Sequence, residues 1–192
     1  KPINFDSMKE LKEFADQHKQ SNLDIYGFPN LHSQFTLENY NDSVNKFDRS
    51  LIRTYFIDIE VTSDGEFPEA KDANYPITAL CIYDSVADKF VTFGIGEWDQ
   101  DDSLLPEGVA DKVAYIACND EVQLMSKFLQ YWTTFCPDIV TGWNTETFDL
   151  PYIVNRMEKL GLNAQKLSPW GKVGTKTING RHGEEQVTAV LL

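Results

Sequence analysis

Cysteine is scarce in this chain: Cys81, Cys118 and Cys136 stand at uneven spacings among apolar neighbours. That spacing fits neither a disulfide framework nor a zinc site, and leaves three small buried hydrophobes of a reducing compartment as the expectation. No run approaches the ~20 apolar residues of a membrane span, and no signal-peptide pattern is present, so no membrane partner is expected. Positive charge is in deficit, with 17 Lys and Arg against 30 Asp and Glu and a formal net charge of -13. Such a balance argues against a general nucleic-acid-binding surface. Internal repeats are absent as well.

What is present is one good core's worth of sequence, 42% hydrophobic and 12% aromatic over 192 residues. The stretch that organises it is Tyr55-Phe56-Ile57-Asp58-Ile59-Glu60-Val61. Its β-branched and aromatic residues read as a strand buried on most of its surface. Side chains alternate along a strand, so Asp58 and Glu60 share a face. Two neighbouring carboxylates repel each other and lose hydration, which a divalent ion with a preference for hard oxygen ligands, Mg²⁺ or Mn²⁺, would relieve. An exposed sheet edge, with both acids in water, is the simpler alternative.

Around this strand the chain divides. Ser7 to about Lys19 reads as a helix opened by a Ser7-x-x-Glu10 capping box, with Met8, Leu11, Phe14, Ala15 and His18 in one stripe. Ser21 to Ser50 reads weakly, as short strands about a turn at Gly27-Phe28-Pro29-Asn30, with Asn39 to Asp48 a polar boundary loop. Residues 1–50 are therefore expected to be part of a small N-terminal domain, with 51–192 a second one. After the central strand comes a turn-rich loop containing Phe67, then two strands, Pro76 to Tyr83 and Lys89 to Phe93, in an antiparallel meander. Glu97 to Ser103 is a solvated acidic loop.

Asp120 to about Phe135 predicts a helix whose stripe is Val122, Met125, Phe128, Leu129, Trp132 and Phe135. A short strand at Asp138 to Thr141 precedes Gly142-Trp143-Asn144-Thr145-Glu146-Thr147-Phe148-Asp149-Leu150-Pro151, where Pro151 and Asp149 mark a helix start and Gly161 its end. Taken alone, Asp149 reads as an ordinary N-cap, and Trp143 and Phe148 as core anchors. Lys172 to Leu192 alternates about Asn179-Gly180-Arg181-His182-Gly183, the pattern of a β-hairpin. Six basic residues (Arg156, Lys159, Lys166, Lys172, Lys176, Arg181) and one acidic residue, Glu158, make this region locally positive. It could be a phosphate-tracking rim or a solvated face. The chain begins at Lys1 and ends on Val190-Leu191-Leu192, and is expected to be a piece of a longer protein.

Asp-x-Glu on the first strand of a meander, then a helix and a strand, then Asn-x-x-x-Phe-Asp at a helix start is an ordered set. It resembles the first two exonuclease motifs of family B DNA polymerases, members of the DEDD group. The stretches YFIDIEVTSDGEF (55–67) and TGWNTETFDLPY (141–152) are similar to the replicative polymerases of T-even-type bacteriophages. The resemblance implies an α/β, RNase H-like fold, a mixed sheet flanked by helices, truncated at its C-terminus and preceded by part of the N-terminal domain. It implies 3′→5′ proofreading in the cytoplasm of an infected bacterium. Asp58 would bridge two Mg²⁺ or Mn²⁺ ions, Glu60 would bind one and Asp149 the other. Phe67, Asn144 and Arg181 would contact DNA, and the 172–192 hairpin would help part primer from template. Implied partners are single-stranded and primer-template DNA, the remainder of the polymerase chain and, through a missing C-terminal part, a sliding clamp. The family's third motif, Tyr-x-x-x-Asp, is not found, so the chain by itself is expected to bind metal weakly and to show little or no nuclease activity. A non-catalytic role, as an RNA-binding autoregulatory or assembly segment, is the alternative.

Overall fold

The computed structural model describes residues 3–18, 21, 31–40, 48–101, 104–106, 108–180 and 183–192. The chain divides into two compact units, Lys1–Asp48 and Arg49–Leu192.

In the first unit, helix α1 spans Met8–His18. Ser7 Oγ accepts from Glu10 N at 3.3 Å, while the Glu10 carboxylate turns back to Asp6 N, so the box closes one residue early. Phe14 stacks beside Phe5 and His18, and the His18 ring bonds the Phe14 carbonyl at 2.8 Å. The next element is a correction to the strand reading: Leu31–Tyr40 is a helix, α2. The expected turn at residues 27–30 lies outside the described residues.

The second unit is built on a five-stranded sheet. Strands β1 (Thr54–Val61), β2 (Ile77–Asp84) and β3 (Lys89–Ile95) form the antiparallel meander. β4 (Val113–Cys118) and β5 (Ile139–Thr141) join its two sides in parallel, giving the order β4-β3-β2-β1-β5. Helix α3 (Glu121–Thr134) starts where Asp120 accepts from Gln123 N, and packs on β2, β3 and β4. Its buried side chains are Glu121, Leu124, Met125, Phe128 and Trp132; Val122, placed in the stripe from periodicity, is exposed. Trp132 is fully buried and donates its indole N–H to the Leu167 carbonyl at 2.8 Å.

Helix α4 (Asp149–Lys159) packs against β1 and against β7 of the C-terminal hairpin, β6 (Val173–Gly180) and β7 (Gly183–Val190). It ends at Gly161, whose φ of 71° is easy only for glycine, and Leu162 N closes the end on the Met157 carbonyl.

β1 is buried on one face only. Tyr55, Ile57 and Ile59 enter the core with Leu80, Ile82 and Phe93, whereas Phe56, Asp58 and Glu60 are exposed. The helices cover a single face of the meander, so the strand alternates where full burial was expected. The cysteines depart from expectation too: Cys118 is buried, Cys81 half-buried and Cys136 exposed, and all three are reduced.

Candidate active site

Parallel pairing between β1 and β5 is short, matching Thr54, Tyr55 and Phe56 with Ile139, Val140 and Thr141. Beyond it the β1 edge carries open backbone groups of Ile57 and Ile59, and the loop after β5 fills their place. Gly142 lies against the Ile57 carbonyl so closely that a Cβ would come to 2.5 Å from it and 2.1 Å from Thr145 Oγ1. A residue with a side chain does not fit there without moving backbone. Ile59 N then donates to Asp149 Oδ1 at 3.3 Å.

Asp149 is therefore not the N-cap that its position before an apolar stripe suggested. It is the first residue of α4, and the capping position belongs to Phe148, which makes no side-chain cap bond. Its carboxylate is turned to the central strand and is only 4% exposed. Burial pushes its pKa up, and the negative charge of Asp58 pushes the same way, while bonds from its own N–H and from Ile59 N partly offset both. The structure thus brings Asp58 and Asp149 within electrostatic reach of each other from opposite ends of the unit. Cys81, which lies across from Asp58 in the β1–β2 register, accepts a bond from Thr92 Oγ1, and its thiol pKa is raised by burial first, with Asp58 adding to it.

Glu60 shares the exposed face of β1 with Asp58, beside a register irregularity between Glu60 and Val61. Among the described residues, no three His, Cys, Asp or Glu side chains converge tightly enough to hold a metal ion. The donor chemistry nevertheless suits a hard divalent cation: two carboxylates, one of them buried, repel each other, with no cationic partner bonded to them among the described residues.

Two of the three single-strand contacts expected from sequence, Phe67 and Asn144, fall on described residues. Phe67 is 79% exposed, yet its ring lies 5.6 Å from that of Phe148, which in turn sits 5.5 Å from Tyr152. Phe148 is the core anchor it was taken for; Trp143 is not, being 96% exposed. Asn144 is exposed, and its carbonyl accepts from Thr147 N and Phe148 N, closing the turn into α4. Arg181, at the hairpin tip, lies outside the described residues. A cleft of about 530 Å³ opens between this loop and the hairpin, lined by Trp143, Asn144, Thr145 and Thr188 and bridged by Lys176 and Glu146 at 2.6 Å. None of the three carboxylates lines it.

Sequence reading missed several residues that shape the site. Thr145 is buried with a hydroxyl that finds no partner. Arg156, Lys159 and Lys176 were placed in a basic rim, but each is engaged within the unit, by Glu121, Asn74 and Glu146. Two of the six basic residues of this region, Arg156 and Lys176, are thus neutralised by partners within the unit.

A mixed five-stranded sheet flanked by helices, with its central strand at the meander's edge and a helix start closing on it, defines an RNase H-like α/β domain. The comparisons narrow this class. The family model for the exonuclease domain of DNA polymerase family B matches residues 13–189, and the chain belongs to that family. It is 30% identical over 97% of its length to the DNA-directed DNA polymerase of Escherichia phage RB69, and 29% identical over 98% to that of Enterobacteria phage T4. The DNA polymerase delta catalytic subunit of Caenorhabditis elegans is 36% identical over 58% of the chain. The chain spans 23% of the length of each phage relative.

Proposed function

We propose that this chain carries three carboxylates of a 3′→5′ proofreading exonuclease, Asp58, Glu60 and Asp149, within a phage replicative DNA polymerase. One observation supports this above the others: the Asp149 carboxylate is buried against β1 beside Asp58, where it accepts from Ile59 N, while the N-cap position of its helix belongs to Phe148. An aspartate serving only as a cap would accept from the N2 or N3 amide of its own helix, without reaching the neighbouring strand.

Asp58 and Asp149 would hold Mg²⁺ or Mn²⁺, with Glu60 completing the set for a second ion. Bound there, such ions supply positive charge to phosphate oxygens and an acidified water for phosphodiester hydrolysis. The chain's own residues do the rest. Phe67, exposed beside Phe148, offers a ring face on which an unpaired 3′-terminal base can stack. Asn144, at the turn into α4, supplies amide donors and an acceptor to the same strand. The hairpin, tied to that turn through Lys176 and Glu146, stands where primer and template would part. A fourth carboxylate and a tyrosine from a third motif would complete the site, so the 192 residues alone are expected to bind metal weakly and to trim DNA little. Template-directed synthesis, and any clamp contact, would reside in the remainder of the polymerase.

The test is Asp58→Ala in the complete polymerase. Editing of a mismatched primer end should disappear while nucleotide addition continues; equal loss of both would count against the reading. RNA binding by this chain that needs no Mg²⁺ and survives Asp58→Ala and Asp149→Ala would replace it with a non-catalytic role.

A further inference from the structure

We propose that Arg156 and Glu121 act as a positioning pair for the carboxylate site, locking the helix that bears Asp149 to the end of the strand that bears Glu60. The inference rests on the exonuclease reading above. Arg156 Nε and Nη2 grip the two oxygens of Glu121, each at 2.7 Å, a bidentate arrangement with directional as well as charge content. Both side chains are largely buried, at 14% and 10% exposure. Glu121 Oε1 also accepts from Ile77 N at 2.7 Å. Ile77 opens β2 and pairs with Val61, at the irregularity that follows Glu60. One carboxylate therefore joins α3, α4 and the β2 end that sets where Glu60 stands.

The remaining Arg156 nitrogen donates to the carbonyls of Ala73 and Asn74, at 3.1 and 3.2 Å. Ala73 is fully buried with φ of 41°, a left-handed conformation that is strained for a non-glycine residue. The same face of α4 holds this loop at three further points: Tyr152 with Tyr75, Asn155 with the Ala70 carbonyl, and Lys159 with Asn74. A strained loop gripped by one helix is a device for fixing a distance. Here the loop leads out of the Asp58–Glu60 strand, and the helix begins at Asp149.

The sheet supplies its own control. Arg53 and Asp84 form a comparably buried ion pair at the opposite end of β1, remote in sequence register from the acids. Mn²⁺ binding to the whole 192-residue chain, followed by electron paramagnetic resonance, should be compared for the parent, Asp58→Ala, Arg156→Lys, Glu121→Gln and Arg53→Lys, with thermal melts of each. Expected are about tenfold weaker Mn²⁺ binding in Arg156→Lys and Glu121→Gln, the size typical of lost outer partners of metal ligands, and unchanged binding in Arg53→Lys despite a lowered Tm. Unchanged affinity in Arg156→Lys and Glu121→Gln, or an equal loss in Arg53→Lys, would overturn the positioning role. Should Arg156→Lys fail to fold, Glu121→Gln decides alone, because its amide oxygen still accepts from Ile77 N. A parent chain that binds Mn²⁺ no better than Asp58→Ala would instead overturn the metal-site reading on which the pair depends.

Discussion

Asp149 carries a cost in the resting protein. A carboxyl whose pKa is raised on folding binds its proton more tightly in the native state than in the unfolded one. Its favourable contribution is therefore complete below the unfolded pKa and is lost as pH rises through the folded pKa. At neutral pH the ionised group destabilises the fold. Asp149→Asn should raise the Tm in EDTA at pH 7, and this gain should vanish as the pH falls below the ordinary carboxylate range. The same variant should lose the increment in Tm that Mg²⁺ gives the parent; thermal melts at two pH values, with and without metal, check both. Gly142 and Thr145 form a second residue-scale case. Gly142→Ala places a methyl against the Ile57 carbonyl and should cost about 1–3 kcal/mol in urea denaturation, as overpacking does. Thr145→Val removes a buried hydroxyl without a partner and should be neutral or stabilising in the same measurement.

Elements differ in how plainly the sequence announces them. Helix α3 was legible because Asp120 caps it and because its apolar residues recur on one side; shortening its core should be expensive. Phe128→Ala, at a site fully buried between Phe93 and Trp132, should cost about 3–5 kcal/mol in a urea unfolding curve. Helix α2 is masked in the sequence because only Leu31 and Phe35 share a helical spacing and Leu37 falls on another side, which leaves no sustained period. β4 went unread for a different reason. Val113–Cys118 is a short continuous apolar run without alternation, a pattern that does not by itself separate strand from helix, and its identity comes from pairing with β3. The candidate acids on β1 were visible because a period of two is a local property. The turning of Asp149 toward Ile59 was not, since it depends on how far β5 runs along β1. Trp143 illustrates the same limit: an aromatic side chain's burial is decided by what packs over it, which one sequence does not state.

At the scale of the whole molecule, a net charge of -13 opposes any polyanion, and Arg156 and Lys176, two of the basic residues that might have offset it locally, are ion-paired within the unit. Binding of a single-stranded oligonucleotide by this chain should accordingly require a divalent cation. Fluorescence anisotropy should show little binding in EDTA and a rise with Mg²⁺ that Asp58→Ala removes; strong metal-independent binding would contradict this. The 90-residue separation between Ile59 and its partner Asp149 has a temporal side. The β1–β2–β3 meander is complete by Ile95, whereas β5 and α4 reach β1 only after most of the unit has been made. On a ribosome adding about 5–20 residues per second, the meander emerges seconds ahead of α4. During synthesis, Asp58 and Glu60 are therefore displayed on a nascent sheet ahead of Asp149, and the meeting of the two aspartates waits for the late helix to dock.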